Sequence, residues 1–162
     1  MASKASIGGH PIHPILVAFP IGLWTTSFAA DVLYYFWRGA SLFLISKFLL
    51  AAGCLGAVAA AIPGIIDWLS INKPEVKRIA NWHARLNIIA LIVFALSLYL
   101  RMRAGSHWVG HHLRIPFLIS LLGMVLISIS GWLGGELVYK HGVAVAPQHD
   151  SPDEEAAKDR LP

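Results

Sequence analysis

Residues 42 to 66 read LFLISKFLLAAGCLGAVAAAIPGII, and this stretch decides the fold. Lys47 is its only charge, and it is long enough to cross ~30 Å of hydrocarbon at about 1.5 Å per residue. Lipid offers no partner for backbone N–H and C=O groups, so a segment of this kind is expected to be a helix. Three further runs match it. Residues 14–37 are interrupted only by Asp31, residues 81–100 are charged only at Arg85, and residues 115–138 carry Glu136 near their end. The expectation is an all-α, four-helix transmembrane bundle, antiparallel and up-down, with both termini on the same side. Residues 1–13 form an N-terminal segment, 14–138 the membrane domain, and 147–162 a disordered acidic tail that opens at Ser-Pro-Asp-Glu-Glu.

Composition agrees. Hydrophobic residues make up 56% of the 162, and charged residues 14%, against roughly 25% in a soluble domain. A soluble chain this small needs polar residues to cover its surface, and this one lacks them. Trp37, Trp68, Trp82, Tyr99, Trp108, Trp132 and Tyr139 cluster near the ends of the runs, as interfacial aromatics do. The net charge of +4 does not indicate a nucleic-acid ligand, because the basic residues flank apolar runs where lipid headgroups lie. Eight basic residues fall on the side of the termini and five on the other, which favours termini in the cytoplasm. The start of the chain shows no removable signal peptide. Cys54 is the only cysteine, which excludes an internal disulfide and a cysteine zinc site. Small residues concentrate in the second and fourth runs, where they let helices approach closely. No convincing internal repeat is apparent.

The chemistry lies in the polar residues of one interface. His10 and His13 open the first span, Asp67 closes the second, His83 opens the third, and Glu136 and His141 close the fourth. Ionisable groups at this depth are costly and normally face the bundle interior. Turning the second loop about Lys73 to Glu75 puts Asp67 level with His83, where a carboxylate would fix the imidazole tautomer. Turning the first loop about Gly39 puts Asp31 level with Lys47, read as a structural ion pair near the far interface. Imidazole is the commonest metal ligand and the usual axial ligand of haem b in helical bundles. The reading is therefore a histidine cluster that binds haem b or a metal, as an electron-transfer module. His13 and His83 are the first axial candidates, His10 and His141 the substitutes, and Asp67 and Glu136 the supporting carboxylates. One alternative is a divalent-metal membrane hydrolase, with zinc or a similar ion held by His10, His13, Asp67 and His83. Another is a structural membrane subunit without a cofactor. His107, His111 and His112 are read as an exposed loop.

Four motifs carry a resemblance. They are His10-Pro-Ile-His13-Pro-Ile-Leu-Val-Ala-Phe-Pro-Ile-Gly22, Gly64-Ile-Ile-Asp67-Trp68, Trp82-His83-Ala-Arg-Leu-Asn87, and Gly134-Gly-Glu-Leu-Val-Tyr139-Lys-His141-Gly-Val143. Across about residues 8–146 the chain resembles domain of unknown function 2231, a family of predicted bacterial membrane proteins. The resemblance implies a multi-pass protein of the bacterial inner membrane. It matches the family at His10, His13, His83 and His141. Related proteins look similar to modules joined to Rieske-type iron–sulfur domains, which implies redox work. This chain has no cysteine–histidine pattern for such a cluster, so it would meet one in a partner. A homo-oligomer is also compatible with the pattern.

Overall fold

The computed structural model describes residues 2–103 and 114–145. It is all-α apart from one short hairpin. Helices α1 (Ile12–Trp37), α2 (Ala40–Leu69), α3 (Pro74–Arg103) and α4 (Arg114–Tyr139) run alternately up and down. All four are long and apolar enough to cross a membrane. The expected acidic tail and the three histidines of the third loop lie outside the described residues.

The helices exceed the apolar runs because their ends are built for it. Pro74 starts α3, where a missing N–H costs nothing. Arg38 closes α1 in the left-handed region, φ 52°, and its N–H reaches Tyr34 O. At the other end of α1, strands β1 (Ser6–Ile7) and β2 (His10–Pro11) pair antiparallel. They turn through Gly8 and Gly9, both at positive φ, a conformation that side chains resist.

Consecutive helices pack along their lengths, so α1–α2 and α3–α4 form two hairpins, and the hairpins meet over a smaller surface. Helices α1 and α3 lie diagonally across the bundle and touch through long side chains. Three pairs do this: His13 with His83, Trp24 with Phe94, and Asp31 with Arg101. Each pair is separated by 70 residues.

That spacing holds throughout the interior. The buried Pro20, Trp24, Ser27 and Asp31 of α1 recur as Ala90, Phe94, Ser97 and Arg101 of α3. The buried Ser46, Leu50, Gly53, Ala60 and Asp67 of α2 recur as Pro116, Ser120, Gly123, Ser130 and Leu137 of α4. The bonds recur as well: Ser27 donates to Ser46 O and Ser97 to Pro116 O, both at 2.9 Å. The chain is thus two copies of one helical hairpin, related by a two-fold rotation about an axis along the helices. This corrects the sequence reading, which found no repeat. Residue identity survives at few positions, whereas the pattern of seats and burial survives at most of the interior ones.

Glycines supply the seats. A Cβ at Gly53 would collide with the Trp24 ring, and one at Gly123 would lie 2.6 Å from Phe94. Each aromatic ring settles against its own hairpin's second helix and then stacks on the other hairpin's ring, centroids 4.2 Å apart. Leu50, Ala90 and Ile127 complete this buried layer. The outward faces carry exposed Phe19, Phe48, Leu55, Ile62, Ile92 and Leu122. Such a surface suits lipid rather than water.

Candidate functional site

The two-fold axis carries polar pairs at both ends and an aromatic stack between them. From His13 to Asp31 is 18 residues of α1, about 27 Å along the helix. One pair therefore lies near each membrane interface.

The histidine pair belongs to the end bearing the N-terminus. His13 stands in the first turn of α1, and its Nδ1 lies 2.8 Å from Ala60 O of α2. His83 stands in α3, and its Nδ1 lies 2.9 Å from Ser130 O of α4. A carbonyl only accepts, so in both rings Nδ1 carries the proton and Nε2 keeps the lone pair. One turn beyond each carbonyl sits a glycine. A Cβ at Gly64 would lie 2.7 Å from His13 Nδ1, and one at Gly134 3.1 Å from His83 Cε1. The ring centroids are 6.4 Å apart and the planes nearly perpendicular, at 89°. Asn87, one turn along α3, donates from Nδ2 to His83 Nε2 at 3.1 Å and to His83 O at 3.0 Å.

The other candidates serve different ends. Asp67 does not support His83. Its carboxylate accepts from Ser3 Oγ at 2.8 Å, Lys4 N at 2.8 Å and Ala5 N at 3.1 Å, and so ties down the N-terminal segment. The level inferred for α2 and α3 holds, since Trp68 Nε1 donates to Asn81 Oδ1 at 2.7 Å. The faces differ, because each residue along a helix turns the side chain by about 100°. Asp67 therefore looks to the N-terminal segment and His83 to α4. His10 is exposed and bonds back to Gly8 O at 3.0 Å. Glu136 pairs with Lys140 on the helix surface at 3.2 Å. His141 follows the end of α4. Among the described residues no three His, Cys, Asp or Glu side chains group together, so the set His10, His13, Asp67 and His83 is not assembled as a metal shell.

At the far end, Asp31 pairs with Arg101 and not with Lys47. Arg101 Nη1 and Nη2 reach Asp31 Oδ1 and Oδ2, both at 2.6 Å. Ser46 Oγ adds a bond to Asp31 at 2.5 Å. Ser97 and Ser120 accept from the guanidinium at 3.3 and 3.1 Å. The level was again sound, for Ser46 does face Asp31. Lys47, the next residue, is turned to another face, and the opposing charge comes from the diagonal helix instead. The 70-residue spacing is the signal that would have paired Asp31 with Arg101. The same spacing points to Gly64 and Gly134 as the histidine seats.

A family model matches most of the chain. The description "Predicted membrane protein (DUF2231)" covers residues 9–147. The chain belongs to the DUF2231 family. No curated protein and no solved structure matches it. Four apolar helices and this membership make it a multi-pass membrane protein. In this DUF2231 chain the rings of His13 and His83 meet near-perpendicular across the pseudo-two-fold axis.

Proposed function

We propose that this DUF2231 protein binds haem b between His13 and His83 and acts as an electron-transfer module of the bacterial inner membrane. The single observation that carries the reading is the facing pair of imidazoles, each with its Nδ1 on a helix carbonyl. Anchoring Nδ1 leaves Nε2 as the ligating atom and fixes the ring's direction. Two metal–nitrogen bonds of about 2 Å and the half-rings behind them span roughly 6 Å. The rings lie 6.4 Å apart between centroids, and ligation by both would require His83 Nε2 to leave Asn87 Nδ2.

The donor count supports a haem over zinc. Two imidazoles do not complete a tetrahedral zinc shell, which takes three or four protein ligands. A haem brings four equatorial nitrogens of its own and asks the protein for one or two axial ones. His13 and His83 would hold the group, and its iron would supply one-electron chemistry there, which favours electron transfer over turnover. The protein's own part is to hold both rings, to keep Nε2 unprotonated and to exclude water. The family resemblance suggests a Rieske-type iron–sulfur protein as redox partner. The basic-residue count favours termini in the cytoplasm.

The test is the visible spectrum of detergent-purified protein made with haem supplied in culture, with metal analysis of the same sample. The reading predicts one haem per chain and a low-spin, two-imidazole spectrum. A colourless preparation that takes up no haem on addition overturns it, and stoichiometric zinc in that sample would favour the hydrolase reading.

A further inference from the structure

The outer face of α3 carries charge where the histidine pair has no use for it. Arg78, Trp82 and Arg85 follow one another at spacings of four and three residues, which places them on one helix face. All three are exposed. The Arg85 guanidinium lies over the Trp82 ring, 5.5 Å from its centroid. Helical side chains lean toward the helix N-terminus. Helix α3 starts at this interface, so Arg85 leans back toward the headgroups. The ion pairs among the described residues are Asp31–Arg101 and Glu136–Lys140, and neither Arg78 nor Arg85 enters them. Glu75, in the first turn of α3, enters neither pair.

The same face continues with exposed Ile89, Ile92 and Leu96. From Arg85 to Leu96 is about 16 Å of helix, close to half of the ~30 Å hydrocarbon layer. The face therefore offers two cations and an aromatic ring, then one leaflet's depth of aliphatic surface. We propose that Arg78, Trp82 and Arg85 bind the phosphate headgroup of an anionic phospholipid, with an acyl chain laid along Ile89, Ile92 and Leu96. A forked guanidinium matches phosphate oxygens. A cation at the edge of the hydrocarbon is costly when bare, and the phosphate offsets that cost. A zwitterionic lipid brings the same phosphate with a cation of its own, which two arginines repel. An acidic peptide would satisfy the arginines and leave the aliphatic continuation uncovered, so a lipid is favoured. The positions 70 residues earlier are Gly8, Ile12 and Ile15, without charge. The site thus marks one hairpin of the pseudo-symmetric pair, and it does not depend on the haem reading.

The experiment uses the full chain, delipidated in detergent. It is offered equal amounts of phosphatidylglycerol and phosphatidylcholine with the same acyl chains, and bound lipid is counted by native mass spectrometry. The wild type should prefer phosphatidylglycerol. Arg78→Gln and Arg85→Gln should each lower that preference roughly 5-fold, the equivalent of about 1 kcal/mol per cation at a membrane surface. Both arginines are exposed, so the variants keep the packing, and melting curves check it. Lys140→Gln removes a cation that is already paired with Glu136, and should leave the preference unchanged.

Inorganic phosphate at millimolar concentration should not displace the lipid, because it brings no acyl chain. Displacement would mean a free-anion site and overturns the proposal. So does a wild type without preference, which would leave an acidic segment of a protein partner as the occupant. A folded Arg78→Gln, Arg85→Gln double variant that keeps the preference overturns it too. An equal loss in Lys140→Gln would reduce the effect to net charge and overturn the assignment to this face.

Discussion

The Asp31–Arg101 pair gives the sharpest test of the two-hairpin architecture. Asp31 is 7% exposed and Arg101 1%, so both charges are buried, and both carboxylate oxygens are occupied by the guanidinium. With charge centres about 4 Å apart and an effective dielectric constant near 20, the Coulomb attraction is about 4 kcal/mol. Removing one member leaves the other buried and unpaired, which typically costs about 3–5 kcal/mol. Asp31→Asn and Arg101→Gln should each destabilise by that amount. The exchange Asp31→Arg with Arg101→Asp should recover at least half of the loss. The reason is the symmetry: positions 31 and 101 are equivalent across the axis, and each keeps a serine neighbour on its own helix, Ser27 or Ser97. Serine hydroxyls donate to a carboxylate or accept from a guanidinium by rotating. The assay is unfolding in rising SDS, followed by far-ultraviolet circular dichroism. Single variants that cost under about 1 kcal/mol, or an exchange no better than the worse single variant, would refute the reasoning.

Three further outcomes follow from the packing. Gly64→Ala should cost about 1–3 kcal/mol, as overpacking does, and displace His13. Gly134→Ala should cost less, because its Cβ has 3.1 Å rather than 2.7 Å; SDS titration and haem content check both. Trp24→Ala should cost about 3–5 kcal/mol by opening the central layer. Trp24→Phe should cost far less, since a phenyl ring keeps the stack on Phe94 and most of the contact with the Gly53 seat, and the same titration ranks them. Asp67→Asn should leave haem content unchanged. It should speed amide exchange at Lys4 and Ala5 by about tenfold or more, because the loss of a charged acceptor loosens that segment.

How far the sequence could be read depended on what each feature requires. Hydrophobic length needs no partner to be recognised, so the four spans and their alternation were legible from runs such as residues 42–66. Levels between neighbouring helices were legible too, because short loops fix them: Asp31 meets Ser46, and Trp68 meets Asn81. Which face a residue occupies was not. A slip of one residue turns a side chain by about 100°, enough to exchange Ser46 for Lys47 beside Asp31, or to point Asp67 away from His83. Contacts between diagonal helices have no loop to fix them, so Asp31 was paired with Lys47 rather than with Arg101. The repeat escaped notice for a related reason. Its halves preserve room for a ring and the burial of a position, and these are met by Trp24 or Phe94 and by Ala60 or Ser130 alike. His13 and His83 were both legible as candidates, since ionisable groups at span starts normally face the bundle interior. That they face each other, and that His10, Asp67 and Glu136 do not join them, required coordinates.

The central claim is that His13 and His83 together hold one haem. Electron paramagnetic resonance of the oxidised, haem-loaded protein tests it most directly. The wild type should give the low-spin ferric signal of a haem held by two imidazoles. His13→Ala and His83→Ala should each convert it to a high-spin signal or lose the haem, while His10→Ala and Asp67→Asn keep the wild-type signal. A low-spin signal that survives both His13→Ala and His83→Ala would contradict the account.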